Sequence, residues 1–428
     1  MAAVFASKGH TVIGVDSDPR VVEAINQGRA PVEETGLQEL ITANRERISA
    51  TLNCVEAVAA TEATFVIVPT PSKSDGTFDL KYVMEAARGI GAGIKETWHL
   101  VVLCSTVMPE GTEWFGEALE QFSGGRRPGI DFGLCYNPEF IALGSVIHDL
   151  QNPDLVLIGE SEPASHAGDV LERFSWGIVE DQRAVSFQRM SYVNAELTKL
   201  SINTFVTTKI SYANMLSEVC DRIPGADAAV VTRALGCDSR IGSKYLKPGL
   251  GYGGPCFPRD NKAFMRLAQN LGVKPSLPGA TDEINNRQVD RIVELVLQRL
   301  PMNGKVAILG LSYKPDTGVV ENSQGMALCK RLAAAPVSIQ VYEPSFHPGP
   351  TLELRCPLFP SQNECVQDAA VVVIMTAHDE FRSLSPKDLK PGAVVIDPWR
   401  ILKPEDFPPG QYLTLGVGHG SFQAAFQR

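Results

Sequence analysis

Short apolar runs alternate with amphipathic, helix-like segments along the first part of the chain. One helical segment begins near Pro19 and ends near Gly28, because proline fits the first turn of a helix and glycine commonly follows the last one. Strands that alternate with helices predict a parallel sheet covered on both faces. The runs that predict its strands are TVIGVD (11–16), TFVIVPTP (64–71), HLVVLCS (99–105) and LCYNPEF (134–140).

The pattern changes near residue 188, where a helical period continues over residues 191–223. Further helical patterns follow at 225–236, 259–272 and 279–301. GKVAILGLSYKPDT then opens a second region of alternating strands, which continues through VSIQVYEP, AAVVVIMTA and GAVVIDP. The predicted domains are α/β at 1–187, helical at 188–300 and α/β again at 301–428.

Composition places the chain among ordinary globular proteins, with 428 residues, 44% apolar and 21% charged. The formal net charge of −10 argues against nucleic acid or an anionic membrane as a partner. No apolar run is long enough for a membrane span, and Asp16 and Asp18 do not suit a signal peptide. Nine scattered cysteines indicate reduced thiols in a cytosol, and seven scattered histidines predict no metal site.

One cysteine stands out by its surroundings. Cys256 lies in GLGYGGPCFPRD (249–260), a stretch with four glycines and two prolines. Glycine lets another group approach the main chain closely, and proline fixes the backbone, so this stretch is predicted to be a shaped loop. The thiol is either presented to a reactant or buried beside a tight turn, as free cysteines often are.

Several polar residues follow predicted strands, at the edge where open α/β sheets bind ligands. Asp16 either accepts hydrogen bonds from a ribose or caps the next helix. Thr70 in VPTP and Thr106 in STVMPEG either bind a cofactor or cap helices. Glu139 in YNPEF is either a general base or part of a surface ion pair.

Lys199 and Asn203 are four residues apart in the long helical pattern and therefore share one helix face. A cation and an amide on one face either stabilise an oxyanion or, more commonly, are solvated. Asp260 follows Cys256 by four residues. It is either the N-cap of the next helix or a partner for a water and a lysine.

Taken in order, these motifs resemble the UDP-glucose/GDP-mannose dehydrogenase family over essentially the whole chain. GLGYGGPCFPRD resembles its catalytic-cysteine loop, and AELTKLSINTF resembles its Lys-x-x-x-Asn helix. NPEF, VPTP and STVMPEG are similar to its cofactor-edge motifs. GCDSRIG resembles a segment that brings an arginine, here Arg240, to the neighbouring subunit's sugar nucleotide. GLSYKPDT resembles the start of its nucleotide-binding domain, with Lys314 as a substrate contact.

The resemblance implies an α/β fold. Its parts are an N-terminal Rossmann-like domain truncated at its start, a central helical dimerisation domain and a C-terminal Rossmann-like nucleotide-sugar-binding domain. It implies that two NAD⁺ oxidise the C6 alcohol of a nucleotide sugar to a carboxylate without release of the aldehyde. UDP-glucose is the favoured substrate, and GDP-mannose and UDP-N-acetylhexosamines stay open. A homodimer or higher homo-oligomer is the implied assembly.

Residue roles follow from the same resemblance. Cys256 is the implied nucleophile, which forms a thiohemiacetal and then a thioester. Lys199 and Asn203 stabilise the oxygens, Glu139 is the base for hydrolysis, and Asp260 supports Lys199 and a water. Thr106 is implied to take part in catalysis and to bind the cofactor. Asp16 and Thr70 are the other implied cofactor-binding residues. Glycines 251, 253 and 254 are expected to let the sugar approach. The implied substrate-binding residues are Glu139, Lys199, Asn203, Arg240, Tyr245, Gly253 and Lys314.

Three features depart from the family pattern. Leu143 stands where relatives often carry a second glutamate, and ENS (321–323) stands where they often read Arg-Glu-Ser. The glycine-rich turn expected before the strand at 11–16 is missing. We therefore expect the natural protein to begin about a dozen to twenty residues earlier and this chain to bind NAD⁺ poorly.

Two rival functions remain at this point. A catalytically silent nucleotide-sugar-binding protein fits the missing turn, but not the intact cysteine, lysine, asparagine and aspartate. A β-hydroxyacid dehydrogenase shares the first domain and the lysine helix, but it needs no nucleophilic thiol.

Overall fold

The structure is a computed structural model that describes residues 1–162, 164–345 and 356–418. The chain divides into two compact units, Met1–Ile202 and Asn203–Arg428. The division falls inside helix α9 (Tyr192–Asp221), which is the long helix predicted from the pattern at 191–223.

The first unit contains a five-stranded sheet and a separate parallel pair of strands. Its strands are β1 (Val12–Val15), β2 (Ile48–Thr51), β3 (Ala63–Val66), β4 (Leu100–Leu103), β5 (Gly133–Tyr136), β6 (Leu155–Glu160) and β7 (Ser186–Ser191). Its helices are α1 (Ala2–Ser7), α2 (Pro19–Asn26), α3 (Leu37–Ala43), α4 (Cys54–Ala59), α5 (Lys81–Gly93), α6 (Gly111–Phe122), α7 (Val146–Gln151), α8 (His166–Ile178) and the start of α9.

The five-stranded sheet has the order β3-β4-β5-β6-β7, and β1 pairs with β2. All strand pairs are parallel except β5 with β6. The prediction of a parallel sheet is therefore correct for every pair but that one. Every residue of β4 and β5 is buried because helices cover the sheet. Helices α5 and α6 approach closely at Gly91, where an added Cβ would lie 2.8 Å from Phe122 Cβ.

The second unit combines helices with a parallel sheet of order β12-β11-β10-β8-β9. Its strands are β8 (Lys305–Leu309), β9 (Ser338–Tyr342), β10 (Val371–Ile374), β11 (Val394–Ile396) and β12 (Tyr412–Leu413). Its helices, after the rest of α9, are α10 (Ala228–Gly236), α11 (Phe257–Asn270), α12 (Ser276–Arg299), α13 (Gln324–Leu332) and α14 (Gln362–Val366). The helical region followed by a second α/β region is confirmed.

Within the described ranges, no helix combines the length and the apolar character that crossing a membrane requires.

Candidate active site

The carboxyl ends of β3 and β4 meet at one edge of the sheet and hold two of the predicted motifs together. Thr70 Oγ1 donates a hydrogen bond to the Thr106 carbonyl at 2.9 Å. Ser105 Oγ donates to the Val68 carbonyl at 2.7 Å. Neither threonine caps a helix, since the N-caps of α5 and α6 are Leu80 and Glu110. The capping alternative is therefore wrong for both.

Lys199 is buried and points to the segment that follows β5. Its Nζ donates to the Glu139 carbonyl at 2.5 Å and lies 4.4 Å from the centre of the Phe140 ring. Only 7% of Lys199 is exposed, so the solvated-surface alternative is wrong. The buried ammonium instead anchors the NPEF motif.

The carboxyl of Glu139 lies in surroundings that disfavour its charge. Burial raises the pKa of Glu139 to about 7, although the positive charges of the chain's N-terminal ammonium and Lys199 oppose the shift. A carboxyl whose pKa lies near neutral pH is better suited to act as a general base than to form a surface ion pair.

Glu196 was missed by sequence reasoning, although it lies one turn before Lys199. Its buried carboxylate accepts hydrogen bonds from the backbone N–H groups of Glu110 at 2.9 Å and Thr112 at 2.7 Å. These groups lie at the start of α6, where a helix leaves N–H donors without intrahelical partners. Glu196 therefore fixes the STVMPEG motif to α9.

Asp16 follows β1, and its carboxylate accepts a hydrogen bond from the Asp18 N–H at 2.8 Å. The N-cap of α2 is Asp18, which accepts from the Arg20 N–H at 2.9 Å. The prediction that Asp16 itself caps this helix is wrong, and the ribose alternative stays open.

A nicotinamide dinucleotide fits the first unit at two places. Asp16 stands at the end of β1, where a ribose acid belongs, and Thr70 and Thr106 lie at the β3–β4 edge, where Rossmann-like folds place ligands. No Gly-x-Gly-x-x-Gly precedes β1 in the printed sequence, and we assign no residue to the pyrophosphate.

In the second unit, Cys256 is exposed at the end of a buried loop. It is the N-cap residue of α11, whose second residue is Pro258. The buried-thiol alternative is therefore wrong. The N-terminus of a helix favours negative charge, so this position suits a thiolate.

Asp260 lies inside the first turn of α11 and is fully buried. Its carboxylate accepts from Asn203 Nδ2 at 2.6 Å and from Arg259 Nε at 2.8 Å. The N-cap alternative for Asp260 is wrong, because Cys256 holds that position. The observed role is to hold the side chain of Asn203, which is itself buried.

The glycines of the cysteine loop leave room for the protein's own atoms. A Cβ added to Gly253 would lie 2.6 Å from the Asn322 carbonyl oxygen, and one on Gly254 would lie 2.7 Å from the Tyr313 ring. Gly254 also has a φ of +81°. These glycines are thus required by packing, and close approach of a sugar to them stays a prediction.

Three other predicted substrate contacts lie in the second unit. Arg240 is exposed and forms a paired contact with Asp238, with Nη2 2.7 Å from Oδ2. Tyr245 has a φ of +62°, and its ring centre lies 6.3 Å from that of Phe257. Lys314 Nζ lies 5.9 Å from the centre of the Tyr313 ring. Their roles toward a substrate stay predictions.

The ENS departure forms part of the cysteine loop's support. The Glu321 carbonyl accepts from the Gly254 N–H at 3.0 Å, and Asn322 Nδ2 donates to the Gly254 carbonyl at 3.4 Å. Ser323 caps α13 by accepting from the Met326 N–H at 3.0 Å. Leu143, the other departure, is half-buried in the loop before α7.

Comparison with known proteins identifies the family of the chain. Profiles of the UDP-glucose/GDP-mannose dehydrogenase family match the NAD binding domain at 1–174, the central domain at 193–287 and the UDP binding domain at 307–404. UDP-glucose 6-dehydrogenase AglM of Haloferax volcanii is 35% identical over 414 residues, 94% of each chain. GDP-mannose 6-dehydrogenase of Azotobacter vinelandii is 30% identical over 418 residues, 92% of each chain.

A solved structure of a UDP-glucose dehydrogenase from the archaeon Pyrobaculum islandicum superimposes with a TM-score of 0.85 and 32% identity. The match covers 98% of this chain and 94% of that one. The family match, the relatives and the shared fold therefore define an NAD-dependent oxidoreductase of nucleotide sugars. The chain belongs to the UDP-glucose/GDP-mannose dehydrogenase family.

Proposed function

We propose that this protein oxidises the C6 alcohol of UDP-glucose to UDP-glucuronate in two steps, with Cys256 as a covalent nucleophile. The observation that carries the proposal is the exposed thiol of Cys256 at the start of α11, where a buried loop ends and Asp260, which binds Asn203, follows one turn later. The match to a UDP binding domain and the UDP-glucose dehydrogenases among its relatives support the choice of sugar nucleotide.

In the first oxidation C6 loses a hydride and its hydroxyl loses a proton, which gives an aldehyde. The Cys256 thiolate then bonds to that carbon, the C=O π bond breaks, and the oxygen takes up a proton to give a thiohemiacetal. Loss of a second hydride and of the hydroxyl proton leaves a thioester. Water attacks the thioester carbon, the C–S bond breaks, and the thiolate and a carboxylate result. NAD, when bound, supplies the hydride acceptor for both oxidations.

The polar side chains are assigned to the oxygen and proton transfers. Lys199 and Asn203, one turn apart on α9, are the donors that stabilise negative charge on the C6 oxygen. Asp260 orients Asn203, as their hydrogen bond indicates. Glu139 takes the proton from the attacking water, a role that its raised pKa supports.

We also propose that the protein acts as a homodimer in the cytosol. Phe205, Tyr212 and Val219 on α9 are 63%, 46% and 45% exposed and recur every seven residues. A heptad stripe of exposed apolar side chains suits a helix seam with a second copy. Nine free cysteines agree with a reducing compartment.

The substrate proposal is tested by NADH formation with UDP-glucose, GDP-mannose and UDP-N-acetylglucosamine at equal concentration. We expect the highest kcat/KM with UDP-glucose. A higher kcat/KM with another sugar nucleotide would reassign the substrate, and the covalent mechanism would still be open to its own tests.

A further inference from the structure

Two buried asparagines flank the loop that carries Cys256. Asn214 lies on α9 and Asn285 on α12, and they are 1% and 7% exposed. Neither belongs to a motif that the sequence singled out. Both belong to the same compact unit as the loop.

Each asparagine uses both ends of its amide on the loop backbone. Asn214 Oδ1 accepts from the Gly249 N–H at 3.0 Å, and its Nδ2 donates to the Leu250 carbonyl at 2.9 Å. Asn285 Oδ1 accepts from the Tyr252 N–H at 2.7 Å, and its Nδ2 donates to the Tyr252 carbonyl at 3.1 Å. The two amides thus give the loop backbone both donors and acceptors, as a neighbouring strand does in a sheet.

These bonds matter because the loop is buried and lies outside the helices and strands. The Tyr252 carbonyl accepts a second, longer hydrogen bond from Gln324 Nε2 at 3.3 Å. Leu250 and Tyr252 are buried, and buried backbone groups need hydrogen-bond partners. Gly251 is adapted to the arrangement, since a Cβ there would lie 2.3 Å from Asn285 Oδ1. The absence of a side chain at 251 therefore allows the amide to reach the backbone.

The loop is held again just before the cysteine, and the helix starts just after it. The Gly254 N–H donates to the Glu321 carbonyl at 3.0 Å. On the other side, the Asp260 N–H donates to the Cys256 carbonyl at 2.8 Å. The backbone at Cys256 is thus fixed from both directions while its thiol stays exposed.

We propose that Asn214 and Asn285 are positioning residues that hold Cys256 where it captures the aldehyde, an inference that rests on the proposed function of Cys256. Covalent capture requires the reacting atoms within about 3–3.5 Å, and a displacement of about 1 Å can cost about 10²-fold in rate. The first oxidation needs no thiol. A loosened loop should therefore release aldehyde instead of completing the second oxidation.

The test uses Asn285→Ala, Asn285→Asp and Asn214→Ala in the full chain. Asn285→Asp keeps an oxygen that accepts from the Tyr252 N–H but loses the N–H that donates to the Tyr252 carbonyl. It replaces the alanine variant in the test if that variant does not fold. Gln340→Glu is the matched control, because Gln340 in β9 is also a buried amide that donates to a carbonyl, that of Cys365 at 2.7 Å. Thermal unfolding identifies the variants that are folded.

The turnover readout is NADH formed per UDP-glucose consumed, with O-methylhydroxylamine present to trap aldehyde as an oxime. We expect the ratio to fall from two toward one in the asparagine variants, with trapped aldehyde and an unchanged KM for the sugar. The Gln340→Glu control should keep a ratio of two. Folded asparagine variants that keep a ratio of two and release no aldehyde would overturn the proposal.

The second readout does not depend on turnover. Alkylation of Cys256 by iodoacetamide is followed by peptide mass spectrometry, with the exposed thiol of Cys237 as an internal reference. We expect Cys256 to react about 2- to 5-fold more slowly in the asparagine variants, because it loses its fixed place at the helix N-terminus. An unchanged rate of Cys256 alkylation would refute the claim that the two asparagines position Cys256, whatever the turnover measurement gives. Conversely, two NADH per sugar from Cys256→Ser would refute the proposed function alone.

Discussion

At the residue scale, Cys256 differs from most other thiols of the chain by its surroundings. Of nine free cysteines only Cys237 and Cys256 are exposed. Burial raises the pKa of Cys135 to about 12, so that thiol stays protonated and unreactive at neutral pH. Cys237 follows α10 and lies outside the shaped loop. Reactivity is therefore expected at Cys256.

We predict that Cys256→Ser abolishes steady-state formation of the acid while folding and sugar-nucleotide binding are retained. Loss of a covalent nucleophile typically costs several powers of ten in rate. Turnover and thermal unfolding are measured together, with Cys237→Ser as the control that should keep its activity. Full turnover by the Cys256 variant would remove this residue from the mechanism.

Glu139 gives a pH-dependent prediction. Hydrolysis needs the carboxylate form, so decay of the covalent intermediate should accelerate as the pH rises through about 7 and level off above it. The decay rate of the intermediate is measured in single-turnover experiments from pH 5.5 to pH 8.5, a range within about 1.5 units of the Glu139 pKa. Glu139→Gln should decay slowly at every pH. A wild-type profile that is flat across pH 7 would contradict the role.

The same residue makes a prediction about stability. Because the folded-state pKa of Glu139 is raised, its protonated form stabilises the fold, and this contribution is lost as the pH rises from about 4.5 to about 7. Glu139→Gln should therefore melt no lower than the wild type at pH 8. A clearly lower melting temperature would show that the carboxylate itself stabilises the fold.

At the element scale, α9 carries several buried polar side chains that contact other parts of the chain. Glu196, Lys199, Asn203 and Asn214 recur at helical spacing along it, and all four are buried. They contact, in turn, the start of α6, the Glu139 carbonyl, Asp260 and the cysteine loop. These four side chains are therefore not part of a solvated helix face.

The Glu196 contact can be tested by its effect on stability. Glu196→Ala removes the acceptor of the buried Thr112 N–H and of the partly buried Glu110 N–H, and a buried donor left unsatisfied costs about 1–3 kcal/mol. We expect a loss of about 2–4 kcal/mol in the free energy of unfolding, measured by urea denaturation. Glu196→Gln keeps one acceptor oxygen and should lose less. Equal stability of all three proteins would contradict this role.

Elements were predictable from sequence where the pattern is strong. The buried runs that became β4 and β5 and the long period of α9 are examples. β2, with the sequence ISAT, and β7, with SFQRMS, were not predicted, because their largely polar sequences lack an apolar run. β6, with LVLIGE, was also missed, although its residues are mostly apolar and buried.

The site was predictable only in part. Cys256, Lys199 and Asn203 belong to spaced motifs, and the structure places Lys199 and Asn203 in buried contacts. Asn285 belongs to no motif, since its partner is the backbone of a distant loop that only the fold brings near. The predictions that Asp16 and Asp260 are N-caps were wrong by two and four residues, because Asp18 is the N-cap of α2 and Cys256 is the N-cap of α11.

At the scale of the whole molecule, the proposed dimer predicts complementation between inactive chains. If Arg240 serves the neighbouring subunit, a mixed dimer of Arg240→Ala and Cys256→Ser chains has one site with both defects and one with neither. Random exchange should restore about a quarter of wild-type activity, as expected for a closed two-fold dimer. No recovery after verified subunit exchange would place Arg240 in its own chain's site or outside both.

The central claim is a four-electron oxidation through Cys256, and the NADH-to-product ratio tests it most directly. Purified protein is given a limiting amount of UDP-glucose with excess NAD⁺, and NADH and uronate are quantified at completion. The account predicts two NADH for each UDP-glucuronate, with no free aldehyde trapped from the wild type. One NADH per sugar with an aldehyde as the product would contradict it.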